Sequence, residues 1–85
     1  MDSDPHLMRR ERWYNAVMKI AKNPTANEVA AIIRGSVHKA ARRITDPRNG
    51  DVYVWDFAEG THREGADLLG VPYDRLPGEG DVLIL

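Results

Sequence analysis

Apolar residues recur at helical spacing in the first quarter of the chain. At about 100° per residue, one side of the segment after Asp4-Pro5 is apolar and is formed by Leu7, Tyr14, Val17, Met18 and Ala21. The opposite side is basic and is formed by Arg9, Arg12, Lys19 and Lys22. Asp before Pro is a typical helix start, and Asn23-Pro24 disfavours continuation of a helix. The pattern therefore predicts a two-faced helix from Pro5 to Lys22.

Two further helices are predicted by their start and stop signals. Thr25 and Thr61 are each followed three residues later by Glu, which is the spacing of a capping box. Apolar residues at helical spacing follow both threonines. Gly35 and Gly70 then predict left-handed C-terminal caps for the two helices.

The segment between these helices predicts a β-hairpin. Its turn is Asp46-Pro47-Arg48-Asn49-Gly50, which combines a turn-starting Pro with an Asn-Gly pair. The run from Asp51 to Phe57 alternates with period two and has apolar residues on both faces, which indicates a central strand covered on both sides. Asp81 to Leu85 predicts a short buried strand that pairs with the hairpin.

These elements occur in the order α-α-β-β-α-β. The order predicts a small α+β fold, in which helices pack on a three-stranded, mainly antiparallel sheet. Eighty-five residues without an internal linker predict a single domain spanning residues 1–85.

Composition sets broad limits on location and chemistry. No stretch reaches the roughly 18 apolar residues of a membrane span, and a chain without cysteine has no disulfide framework. We therefore expect a cytoplasmic protein with no membrane partner. The net charge of −1 hides an asymmetry, because residues 1–50 carry a charge of +5 and residues 51–85 carry −6.

The sequence does not predict an enzyme. His6, His38 and His62 lack the spacing of a metal site, and the two serines lack the context of a hydrolase nucleophile. Gly78-Glu79-Gly80 is too short for a phosphate-binding loop and carries an acid where a phosphate would bind. We accordingly predict no catalytic residues, no cofactor and no metal.

One segment resembles a family of sequences. The hairpin Asp46 to Asp56, followed by Thr61-His62 and a short helix ending at Gly70, is similar to a segment that recurs in phage and mobile-element proteins. The resemblance covers residues 44–71, about a third of the chain, and carries no established catalytic role. It implies a phage or prophage setting, in which proteins of this size include inhibitors of host defence such as anti-CRISPR proteins.

The leading functional prediction is an interaction protein that occludes a surface on a larger host complex, with a CRISPR effector as one such target. The acidic residues expected to enter a basic nucleic-acid groove are Asp56, Glu59, Glu64 and Asp67. The alternative is a small nucleic-acid-binding or regulatory protein that uses the basic face Arg9, Arg12, Lys19 and Lys22. A third hypothesis is an isolated module of a larger polyvalent enzyme. Trp55 and His62 are interpreted as core residues.

Overall fold

The structure is a computed structural model that describes residues 13–14, 18–73 and 81–85. The elements in chain order are β1 (Trp13–Tyr14), β2 (Ile20–Lys22), α1 (Ala26–Gly35), β3 (Ala40–Thr45), β4 (Val52–Asp56), α2 (His62–Leu69) and β5 (Asp81–Ile84). The strands form one antiparallel sheet in the order β1-β2-β4-β3-β5. The α+β prediction is confirmed.

The two described helices cover opposite faces of the sheet. On one face, Ile33 of α1 packs with Ala41 and Val54 in a buried cluster. On the other face, Trp55 packs with Ala66 of α2. Because successive side chains of a strand point to opposite faces, β4 contributes to both clusters. The prediction that this strand is central and covered on both sides is confirmed.

Local signals for turns and helix starts are confirmed. The side chains of Thr25 and Thr61 accept hydrogen bonds from backbone N–H groups three residues on, and the Glu side chains complete both capping boxes. Gly70 closes α2 in the left-handed conformation. Gly50 ends the hairpin turn at φ +81°. The left-handed cap predicted at Gly35 is wrong, because Gly35 is the last helical residue and the following Ser36 has extended backbone at φ −78°.

The prediction of a first helix is wrong at every residue of that segment that the structure describes. Instead of a helix from Pro5 to Lys22, the chain forms the strands Trp13–Tyr14 and Ile20–Lys22. The rest of the prediction, at 5–12 and 15–17, lies outside the described residues. The predicted three strands become five, and the predicted order α-α-β-β-α-β becomes β-β-α-β-β-α-β over the described part of the chain.

Strand pairing explains why the helical pattern failed. Ile20 lies opposite Trp55 in the β2–β4 register and is fully buried. Asn23 follows at φ +50°, and its side-chain oxygen accepts from the backbone N–H of Val52 at 2.8 Å. The backbone N–H of Asn23 donates to the Val52 carbonyl at 2.6 Å. Asn tolerates the left-handed region, so this residue extends the ladder beyond β2.

Candidate interaction surfaces

The outer edge of β5 is the most apolar exposed feature of the described residues. Sheet order places β5 at an edge, beyond β3. Val82 is 47% exposed, Ile84 73% and Leu85 74%. The prediction of a buried final strand is therefore wrong, although its pairing with the hairpin is confirmed.

Hydrogen bonds at both ends of β3 fix the direction of its backbone groups. The carbonyl of Ala40 accepts from the N–H of Phe57 at 3.2 Å, on the β4 side. The N–H of Asp46 donates to the carbonyl of Asp51 at 2.8 Å, also on that side. Backbone groups alternate in direction along a strand. The backbone N–H and C=O groups of the even-numbered β3 residues therefore point toward β4, and those of the odd-numbered residues point toward β5.

The same alternation determines which groups of β5 face outward. Leu83 lies opposite the odd-numbered Ala41 in the β3–β5 register, so its backbone groups point toward β3. The N–H and C=O groups of Val82 and Ile84 consequently point away from the sheet. No strand in the described part of the chain pairs with this edge.

The single charge of β5 has a partner within the chain. Both Nε and Nη2 of Arg43 donate to Oδ2 of Asp81, at 3.1 and 2.8 Å. Both side chains are 43% exposed. Residues 82–85 contain neither a charged side chain nor a proline.

A shallow aliphatic groove of about 400 Å³ lies beside β5 on the α1 side of the sheet. Val29 and Ile33 of α1 form one wall, and Leu83 and Leu85 lie along the other. Arg43 is its charged lining residue. The groove and the exposed edge therefore share residues of β5 and its immediate continuation.

The predicted acidic residues divide into two kinds. Asp56 is half-buried and accepts from the Ser36 hydroxyl and the Ala58 N–H, each at 2.8 Å. Glu64 completes its capping box, and hydrogen bonds from Thr61 hold the pKa of the Glu64 carboxyl below its usual value. These two carboxylates stabilise local structure.

Glu59, Glu64 and Asp67 are the exposed members of that acidic set, whereas Asp56 is half-buried. Glu59 lies in the turn after β4, and Asp67 lies on α2. Glu64 and Asp67 are three residues apart on the helix and are therefore neighbours on its surface.

The described part of the predicted basic face, Lys19 and Lys22, is not helical. Lys19 is exposed, and Lys22 lies on β2, where its Nζ is 3.4 Å from Oδ2 of Asp51. Arg9 and Arg12 lie outside the described residues.

The two basic residues of β3 belong to different surfaces of the sheet. Arg42 and Arg43 are adjacent on the strand and point to opposite faces of the sheet. Arg43 pairs with Asp81, whereas the guanidinium of Arg42 lies 4.1 Å from the centre of the Phe57 ring.

Sequence reasoning missed a polar network around His62. The imidazole is fully buried, with Arg42 Nη1 3.2 Å from Nδ1 and the Asp81 carbonyl 3.1 Å from Nε2. Arginine can only donate, so Nδ1 is the acceptor and Nε2–H donates to Asp81. His62 is thus a neutral core residue that links β3, α2 and β5. Arg42 and His62 are 20 residues apart and meet only through the fold, so no local sequence signal reveals the contact.

The described residues contain no group of three His, Cys, Asp or Glu side chains placed to hold a metal ion. None of their helices has the length and apolar character needed to cross a membrane. Comparison with known proteins finds no matching family model, no matching curated protein and no matching solved structure.

Proposed function

We propose that this chain is a small interaction protein that binds other polypeptides by accepting a strand at the outer edge of β5. The observation that carries this proposal is the coincidence of two properties at Val82 and Ile84. Both direct backbone N–H and C=O groups outward, and both expose aliphatic side chains. An added strand would satisfy the backbone groups and cover the side chains at the same time.

The chemistry of the edge supports pairing over a solvated edge. Edge strands that stay unpaired commonly carry charges, prolines or bulges that block a further strand. Residues 82–85 have no charged side chain and no proline, and Asp81 is paired with Arg43. Each added backbone hydrogen bond contributes about 0.5–1.5 kcal/mol, and burial of aliphatic surface contributes about 25 cal/mol per Å².

The biological role that we propose is occlusion of a larger host complex in the cytoplasm of a bacterium. The support is the resemblance of the hairpin and α2 to a segment of phage and mobile-element proteins. A CRISPR effector is one target that fits this setting. The mechanism is steric and electrostatic, and it requires no catalytic residue or cofactor.

The acidic residues provide a second contact surface for this role. Glu59, Glu64 and Asp67 are all exposed, and hydrogen bonds from Thr61 hold the pKa of Glu64 below its usual value. Carboxylates on the turn and on α2 would be attracted to a basic groove that normally holds nucleic acid.

Selection from a library of random twelve-residue peptides tests the strand-binding function. We expect the selected peptides to be extended, with aliphatic residues at alternate positions. Ile84→Lys should abolish their binding by placing a charge among the apolar contacts. Val37→Lys is the matched control, since Val37 is 84% exposed and lies outside β5. Selected peptides that bind Ile84→Lys as well as the wild type would refute the β5 assignment.

Phage challenge of bacteria with an active DNA-targeting CRISPR system tests the proposed role. We expect the chain to restore plaques by a targeted phage, and the combined variant Glu59→Lys/Asp67→Lys to lose this effect. Unchanged plaque counts with the wild-type chain would refute inhibition of that system.

A gel-shift assay tests the nucleic-acid alternative. We expect no retention of duplex DNA at about 50 mM salt, where non-specific DNA binders are retained at micromolar protein. Retention that is lost when Arg9, Arg12, Lys19 and Lys22 are changed to Glu would favour nucleic-acid binding instead.

A further inference from the structure

We propose that the polypeptide that occupies the β5 edge is a second copy of this chain. The two β5 strands would pair antiparallel about a two-fold axis at Leu83, which joins the two sheets into one. This inference rests on the proposed strand-binding function and names its partner. It leaves Glu59 and Asp67 out of the strand contact.

The direction of the backbone groups selects the register. The outward-facing residues, Val82 and Ile84, are placed symmetrically about Leu83. Two-fold pairing at Leu83 therefore puts Val82 of each copy opposite Ile84 of the other, with four backbone hydrogen bonds. A shift of one residue would place outward groups opposite groups that point into the sheet. A shift of two residues would leave only one outward-facing residue of β5 in the pairing, and that residue would lie opposite the same residue of the second copy.

The side chains agree with the same register. Val82 and Ile84 of different copies would meet on the α2 side of the sheet, where both are exposed in the single chain. The two Leu83 side chains would meet on the α1 side. Asp81 would lie opposite Leu85 of the second copy, so no two like-charged side chains face each other. The symmetric contact closes on itself and yields a dimer, not a filament.

The aliphatic groove gives a second reason for this partner. Leu83 and Leu85 line the groove beside α1. In the two-fold register, Leu83 of the second copy would lie against Leu83 and cover this side of the groove. A partner strand must therefore be apolar on both faces, and residues 82–85 have that property.

Sedimentation velocity at increasing protein concentration tests the self-association. We expect the mass to approach twice that of one chain between about 10 µM and 1 mM, since a short edge buries less surface than a standard interface. Ile84→Lys and Val82→Pro should remain monomeric. Proline at 82 removes an outward N–H and leaves the β3 ladder in place. Val82→Thr and Val37→Lys are the matched controls and should dimerise.

Cysteine cross-linking tests the register, because the chain contains no cysteine. Residues that face each other in a non-hydrogen-bonded pair have Cα atoms about 4.5 Å apart, within the range of a disulfide. Leu83→Cys should therefore form a disulfide dimer on mild oxidation. A mixture of Val82→Cys and Ile84→Cys chains should form mixed dimers in preference to either self-dimer. Val37→Cys should form little disulfide-linked dimer.

The outcomes separate this inference from the function on which it rests. If the wild-type chain stays monomeric and the Leu83→Cys variant forms no disulfide dimer, the proposal that a second copy occupies the β5 edge is overturned. Selected peptides that still require Ile84 would then preserve the strand-binding function. A dimer that persists with Ile84→Lys, or that cross-links best through Val82→Cys alone, overturns the proposed pairing.

Discussion

The indole of Trp55 lies directly against Gly65 of α2. A β-carbon at position 65 would stand 2.4 Å from Cη2 and 2.5 Å from Cζ2 of that ring. The ring cannot easily retreat, because Trp55 is fully buried and its Nε1–H donates to the Gly60 carbonyl at 3.1 Å. His62 also contacts the ring edge-on, at 6.0 Å between centroids. Gly65 thus sets how closely α2 approaches the sheet.

Gly65→Ala should destabilise the protein despite the higher helix propensity of alanine. Propensity favours alanine by about 1 kcal/mol, whereas overpacking a rigid core costs about 1–3 kcal/mol or more. We expect a net loss of about 1–2 kcal/mol in urea unfolding, because the clash is with an immobile ring. Gly35→Ala is the control: it has no heavy atom within 4 Å of the added carbon and should be neutral or slightly stabilising. Equal stability of wild type and Gly65→Ala would contradict the close packing.

Trp55→Ala should remove most of the stability of this small domain. Truncation of a buried Trp costs about 3–5 kcal/mol, and small domains have little more than about 5 kcal/mol in total. The measurement is the urea midpoint with near-UV circular dichroism. In the Trp55→Ala background, Gly65→Ala should become neutral or stabilising, since the ring it strikes is gone. Additive losses would show that the two positions are not coupled.

The elements with strong local signals were predictable from the sequence. The Asn-Gly turn, the two capping boxes and the alternation in β4 each depend on residues within a few positions of one another. The first helix failed for the opposite reason. Ile20 and its neighbours also fit a helical repeat, and their strand conformation depends on pairing with β4, more than 30 residues away. Pairing with the distant strand β4 therefore determined the conformation of this segment, although its short sequence pattern also fits a helix.

The candidate site was less predictable than the fold. The acidic residues were identifiable by type, and the capping role of Glu64 by its spacing from Thr61. Only the structure shows that Asp56 is half-buried and holds local structure, while Glu59, Glu64 and Asp67 are exposed. The β5 edge was missed because exposure of an apolar strand depends on sheet order. The sequence pattern of residues 81–85 does not indicate that β5 lies at the edge of the sheet, beyond β3.

Gly50→Val should cost about 1–2 kcal/mol, the penalty for a side chain in the left-handed region. Gly50 has φ +81° and open space around it, so backbone strain is the dominant effect. Gly50→Asn is the control, since Asn tolerates this region better than valine. Thermal melts compare the three proteins. A Gly50→Val protein that melts with the wild type would contradict the turn geometry.

His62→Phe should destabilise the protein by about 1–3 kcal/mol, because it removes a buried imidazole that both accepts and donates a hydrogen bond. An aromatic ring is retained, but Nη1 of Arg42 loses its acceptor and the Asp81 carbonyl loses a donor. Arg42 Nε is already buried without a hydrogen-bond partner. The double variant Arg42→Met/His62→Phe should recover part of the loss in urea unfolding. No recovery would mean that the Arg42–His62 contact contributes nothing.

Asp46 should make stability depend on pH below about pH 5. The carboxylate is 2% exposed and accepts from the Arg48 N–H, Nε and Nη2 at 2.9–3.0 Å. Hydrogen bonds from the Arg48 side chain, then from its backbone, hold the pKa of Asp46 below its usual value, with burial opposing the shift.

A lowered folded-state pKa means that the unfolded chain binds the proton more readily. The stabilisation is therefore fully present above the ordinary Asp pKa of about 3.9 and is lost as the pH falls through the lowered folded value. We expect urea midpoints that are flat from pH 7 to about pH 5 and then decline. Arg48→Met retains the carboxylate and removes its side-chain donors, so stability at pH 7 should fall and the acid decline should become shallower. An unchanged acid decline in Arg48→Met would show that this pair does not link stability to pH, and would leave Glu64, whose pKa is also lowered, as the carboxylate to test next.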